Sequence, residues 1–140
     1  KYKERAVLDQ INWKDSADPY FYENYHLEPQ LIEEQEGGRE YWIYYGTNKF
    51  SGKKLVVEPG GEFTSKDNGV YNIVVWKGKG IYGGNVIEAG NFGLDELMVT
   101  HDCALKPLII KNTGNDELII FKFFGPDINK DLPQLKKYKP

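Results

Sequence analysis

Cysteine is nearly missing from these 140 residues: Cys103 stands alone, so no internal disulfide and no thiolate zinc cluster can form. Histidine is almost as scarce, since His26 and His101 are the only two, which leaves few imidazoles for a metal or for proton transfer. No apolar run approaches the ~20 residues that a membrane span requires. No apolar stretch follows the opening Lys-Tyr-Lys-Glu-Arg, so no signal peptide is read there and a cytoplasmic location is expected. A basic excess is lacking too: 18 Lys and Arg stand against 21 Asp and Glu, for a net charge of -3, which argues against a nucleic-acid face. The opening Met is also missing, which suggests one part of a longer protein.

What remains is ordinary globular material. Hydrophobic residues make up 40% and charged residues 28%, enough for one domain with a real core. Residues 1–40 are acidic, rich in Tyr and weakly periodic; they are expected to form an aromatic arm packed on the rest, with a helical turn or two at Gln30–Glu36. From residue 41 the pattern turns to short strands divided by Gly, Pro and Asn turns, which argues an antiparallel sandwich or barrel over residues 41–126. Strands are read at 41–45, 54–58, 70–78, 80–82, 85–88, 96–100, 108–111 and 118–124, with Gly83-Gly84 as a two-residue hairpin turn. The run 70–78 is apolar on both faces and is expected to be central and buried on two sides. Residues 127–140 are read as a tail wrapping the surface, rich in Lys toward its end.

Three landmarks in order resemble the cupin superfamily: Val56-Val57-Glu58-Pro59-Gly60 entering a loop, a strand closing on Trp76-Lys77-Gly78, and Ile87-Glu88-Ala89-Gly90 leading to Asn112-Thr113-Gly114. The likeness covers residues 53–124 and extends to the C-terminal barrel of a two-barrel cupin. It implies an all-β fold, an antiparallel double-stranded β-helix or jelly-roll barrel with an N-terminal aromatic arm, often paired into dimers.

The chemistry of that family sits on two motifs, and both depart here. The place of the first motif's His-x-His falls among Thr64, Ser65, Lys66, Asp67 and Asn68, and the place of its Glu falls on Tyr71. The place of the second motif's His falls on Leu108, four residues before Asn112 and on the same strand face. A transition metal needs several N or O donors converging at about 2 Å, and one aspartate in a loop does not supply them. No metal and no cofactor is therefore expected. A ligand cavity is expected around Tyr71, Trp76 and Leu108, with Asn72, Lys66, Asp67 and Lys122 as further ligand-binding candidates. Lys122 is the one charge in an apolar last strand and shares a face with Leu118, Ile120 and Phe124; it is expected to reach solvent at an edge, or else to meet an anion.

The leading reading is a metal-free barrel that binds a small polar molecule or a partner barrel. The alternative is a sugar or sugar-phosphate isomerase or epimerase, with His101 and Tyr71 as acid and base, as the likeness to metal-free epimerases of the superfamily implies. A metallo-cupin with atypical ligands such as Asp67, His101 and His26 is the third. Strands 70–76 and 118–124 have two apolar faces, and a barrel interior uses only one. A homodimer, or the arm, is expected to cover the other.

Overall fold

The computed structural model describes residues 4–135, which fall into two units, one running to Leu27 and the other spanning Glu28–Gln134. Lys136, Lys137 and Lys139, the basic end of the expected tail, lie outside the described residues.

The first unit is helical rather than extended. It holds three short helices, Glu4–Leu8 (α1), Trp13–Ser16 (α2) and Phe21–Tyr25 (α3), none with a buried residue. Local side-chain bonds set their ends. Asn12 caps α2, its Oδ1 accepting from the amide of Asp15 in the first turn, and Asp18 accepts from the Tyr20 amide and the Asn24 side chain.

The second unit contains ten strands. They are Gln30–Gln35 (β1), Gly38–Tyr44 (β2), Ser51–Val57 (β3), Glu62–Ser65 (β4), Tyr71–Lys77 (β5), Lys79–Tyr82 (β6), Asn85–Glu88 (β7), Glu96–Val99 (β8), Leu108–Asn112 (β9) and Leu118–Phe124 (β10), with a short helix His101–Ala104 (α4) between β8 and β9. All pairings are antiparallel, in one sheet ordered β1-β2-β3-β10-β5-β8 and a second ordered β4-β9-β6-β7. The core lies between them: Leu55, Val57, Ile73, Val75, Leu118 and Ile120 from the large sheet meet Phe63, Tyr82, Ile87 and Ile110 from the small one. Each such side chain contributes roughly 1.5–3 kcal/mol on burial.

Four expectations change here. Gln30–Gln35 is a strand, not a helical turn, so the large sheet begins well before residue 41. Residues 62–65, read as loop, form β4. Residues 101–104, read as a turn, form α4. The central strand β5 is buried on one face only: Tyr71, Ile73 and Val75 point inward, while Asn72 and Trp76 are exposed. The turn at Gly83-Gly84 is as expected, with φ of 53° and 89°, the left-handed pair that a tight hairpin demands and glycine supplies without strain.

Candidate functional site

The apolar interior of the barrel holds a cluster of four charged side chains. Alternation along β2, β3 and β10 turns Glu40, Lys53 and Lys122 toward the small sheet, and the register sets Lys122 directly opposite Lys53 on its neighbouring strand. Two like charges in that position repel one another unless neutralised. Neutralisation comes from Glu40 on β2 and from Asp67, in the loop after β4.

The four side chains close a ring. Lys53 Nζ donates to Glu40 Oε2 at 3.2 Å and to Asp67 Oδ1 at 2.5 Å. Lys122 Nζ donates to Glu40 Oε1 at 2.5 Å and to Asp67 Oδ2 at 3.0 Å, and its third proton goes to Ser65 Oγ at 2.5 Å. Every carboxylate oxygen thus accepts from an ammonium. Lys53 also sits 5.0 Å from the centre of the Trp42 ring, where the π face attracts a cation. The ring is shut off from water, since no side chain in it is more than 8% exposed.

Burial alone would raise the Asp67 carboxyl, but the ammoniums of Lys122 and Lys53 outweigh it and hold the group below its usual range. Burial alone would likewise lower Lys122, yet Glu40 and Asp67 hold its ammonium above the ordinary lysine value. Both groups are charged at neutral pH. The ring also ties the sheets together, because its lysines stand on the large sheet while Ser65 ends β4 of the small one.

Beside the ring lie two phenols. Tyr71 Oη and Tyr82 Oη share a hydrogen bond of 2.7 Å, and burial pushes both groups far up, so both stay protonated. Lys122 Nζ is 5.5 Å from the centre of the Tyr71 ring. Further along the same gap between the sheets, a cavity of about 110 Å³ opens against Tyr82, Leu97, Val99 and Leu108.

The sequence candidates scatter across this frame. Tyr71, Asp67 and Lys122 come together inside the barrel. Lys122 does not reach solvent at an edge: it is fully buried, because both its neighbours β3 and β5 cover it. Leu108 packs against the core at the cavity wall. Trp76, expected at the cavity, is 68% exposed on the opposite sheet face, and Asn72 shares that outer face. Lys66 is exposed between inward Ser65 and Asp67. His101 is also exposed, with Nδ1 3.4 Å from Asp102 Oδ1, while the Tyr71 hydroxyl is engaged by Tyr82; no His101–Tyr71 acid–base pair forms. His26 belongs to the helical unit, where it stacks on Tyr22. Sequence reading passed over Glu40 and Lys53. Glu40 lay in the presumed arm, and only its place in β2 turns it inward.

A divalent metal does not fit the interior. Ser65 and Asp67 point inward in the stretch where the resemblance places the His-x-His pair, but Lys53 and Lys122 fill the space in front of them. A cation entering here would meet two fixed ammoniums in place of imidazoles. Among the described residues no three His, Cys, Asp or Glu side chains gather to hold a metal.

Two antiparallel sheets packed around an apolar core, with one satisfied ion-pair ring buried in it, form a jelly-roll barrel. No family model and no curated protein matches the sequence. Solved structures match in fold. The Cupin_2 domain of an XRE family transcriptional regulator from Enterobacter cloacae aligns with a TM-score of 0.51 and 12% identity, over 64% of this chain and 97% of that one. Procruciferin, an 11S globulin from Brassica napus, aligns with a TM-score of 0.58 and 17% identity, over 80% of this chain and 32% of that one. Oxalate decarboxylase from Bacillus subtilis, a protein with Mn(II) centres, aligns with a TM-score of 0.51 and 20% identity, over 70% of this chain and 28% of that one. This chain therefore spans about a third of procruciferin and less of the decarboxylase. The chain has the cupin fold. Among the described residues no helix is long and apolar enough to cross a membrane.

Proposed function

We propose that this barrel is a metal-free interaction module of the cytoplasm that pairs the outer face of its large sheet with another barrel, in the first place a second copy of itself. One observation carries the reading: an uninterrupted chain of aromatic rings crosses that outer face. Phe50 meets Tyr44 at 6.0 Å, Tyr44 meets Phe123 at 6.3 Å, Phe123 meets Phe121 at 6.4 Å, and Phe121 meets Trp76 at 5.7 Å between ring centres. Trp76, Phe50, Tyr44 and Phe123 are all exposed. Aromatic side chains bring large area at low entropic cost and dominate the centres of protein interfaces.

The interior supports the same reading from the other side. Its carboxylates and ammoniums are spent on one another, which leaves little to grip a polar ligand such as a sugar phosphate. An isomerase that uses His101 and Tyr71 has less support, since the two are not partnered. Sedimentation equilibrium over a range of concentrations tests the proposal: a dimer is expected, and Trp76→Ser with Phe123→Ser should give a folded monomer. A wild-type chain that stays monomeric at hundreds of micromolar would sink it.

A further inference from the structure

We propose that the 110 Å³ cavity at the end of the barrel is a binding site for a small uncharged molecule with an apolar body and one polar end. The cavity lies between β8 at the edge of the large sheet and β6 and β9 of the small one, against α4. Its body is built from Leu97, Val99, Leu108 and the ring of Tyr82, and none of the residues lining it is charged.

Size limits the ligand. An apolar cavity of about 150 Å³ takes benzene or xenon, so this smaller one encloses roughly four or five non-hydrogen atoms, and a single ring or short chain fits only with its polar end standing out in the open mouth. Gly83 keeps that volume free. A methyl group there would stand 3.2 Å from Leu108 Cδ2, and its φ of 53° already favours glycine.

Charge limits it further. A carboxylate or phosphate entering would lose its hydration and find no counter-ion on the walls, and the lysines of the barrel are held by Glu40 and Asp67. The Tyr82 phenol is deep, protonated and bonded to Tyr71, so it offers no negative charge to a cation. Polar recognition is left to the mouth. There Thr100 is exposed and its hydroxyl does not cap α4, and Asn85 lines the same mouth, its Nδ2 donating to the Tyr82 carbonyl at 3.4 Å and its Oδ1 left to accept. The chemistry that suits this set is a small alcohol, aldehyde or ketone on a ring or short hydrocarbon. This inference does not rest on the pairing of barrels, because Trp76 and Phe121 do not line the cavity.

The test is a titration of the full chain with benzyl alcohol and, separately, with benzoate, followed by the methyl NMR signals of Leu97, Val99 and Leu108. Benzyl alcohol is expected to shift all three saturably in the millimolar range or below, and benzoate to bind at least tenfold more weakly. Leu108→Phe, which fills the cavity, should weaken the alcohol at least tenfold with the thermal midpoint nearly kept. Equal affinity for alcohol and benzoate, or absence of saturable shifts at these methyls, overturns the site. Both readings come from the wild-type chain and stand even if the variant fails to fold. Sedimentation of the same samples reports separately on pairing.

Discussion

The two faces of the large sheet carry opposite solutions to the same problem. Inward, β2, β3 and β10 present charge, and the charge is matched atom for atom by Glu40, Asp67, Lys53 and Lys122. Outward, β10 and β5 present exposed Phe123 and Trp76 beside half-buried Phe121, in contact only with one another and with Tyr44 among the aromatic rings. The charge is an island within an apolar core that Leu55, Val57, Leu118 and Ile120 of the same strands supply, and the exposed rings stand where a solvated sheet face is usually polar. The inner face is closed to further chemistry because its polar valences are used. The outer face is open because its apolar area is not.

The sharpest way to break this contrast is Lys122→Met. It leaves Glu40 and Asp67 buried with one ammonium between them, and removal of one partner from such a network costs about 3–5 kcal/mol. Urea unfolding at neutral pH should show that loss, and a cost below about 1 kcal/mol would mean that water reaches the ring. Replacing the whole set, with Glu40→Met, Lys53→Met, Asp67→Leu and Lys122→Met together, should by contrast be neutral or raise stability by up to ~4 kcal/mol, since no charge is stranded. The same urea series, run beside the single variant, decides whether the ring contributes specificity rather than stability.

Acid and base should each open the ring by a different hand. The folded Asp67 carboxyl lies below its unfolded value of about 3.9, so its stabilisation is complete above that pH and fades as pH falls toward the folded value. Lys122 lies above its unfolded value of about 10.4, so its stabilisation is complete below that pH and is lost as pH rises through the folded value. Thermal midpoints should therefore form a plateau between those limits, and Asp67→Asn should flatten the acid limb at a lower plateau. The smallest effect belongs outside. Trp76→Ser should change monomer stability by at most about 1 kcal/mol, the worth of its ring pair with Phe121, while weakening association. If Trp76→Ser unfolds the chain instead, that face is covered in a way that its exposure belies.

Most strands were legible because period-two alternation and turn glycines are local signals. β5, β10 and the β6–β7 hairpin fall where Tyr71, Leu118–Phe124 and Gly83-Gly84 place them. β1 was missed because Gln30–Gln35 is a polar, exposed edge strand, whose pairing with β2 and not its composition makes it a strand. The candidate site was legible only in fragments. Lys122 was seen to share a face with Leu118, Ile120 and Phe124, but a lone lysine on an apolar strand reads as an edge until its counter-charges are known. Those come from residues up to 82 positions away in the chain. The inward register of Glu40, Lys53 and Lys122 was the available signal, with Asp67 added from the loop after β4, and it needs the strand pairing first.

The sequence by itself determined an antiparallel barrel with the cupin landmarks in order, and it excluded imidazole ligands from the stretch between Phe63 and Ile87, because residue type and spacing are properties of the chain alone. Only the tertiary structure decided that Glu40, Lys53, Asp67 and Lys122 meet, that Trp76 looks outward and that His101 stands apart from Tyr71. Charge pairing acts over a few ångströms of space and is blind to distance along the chain.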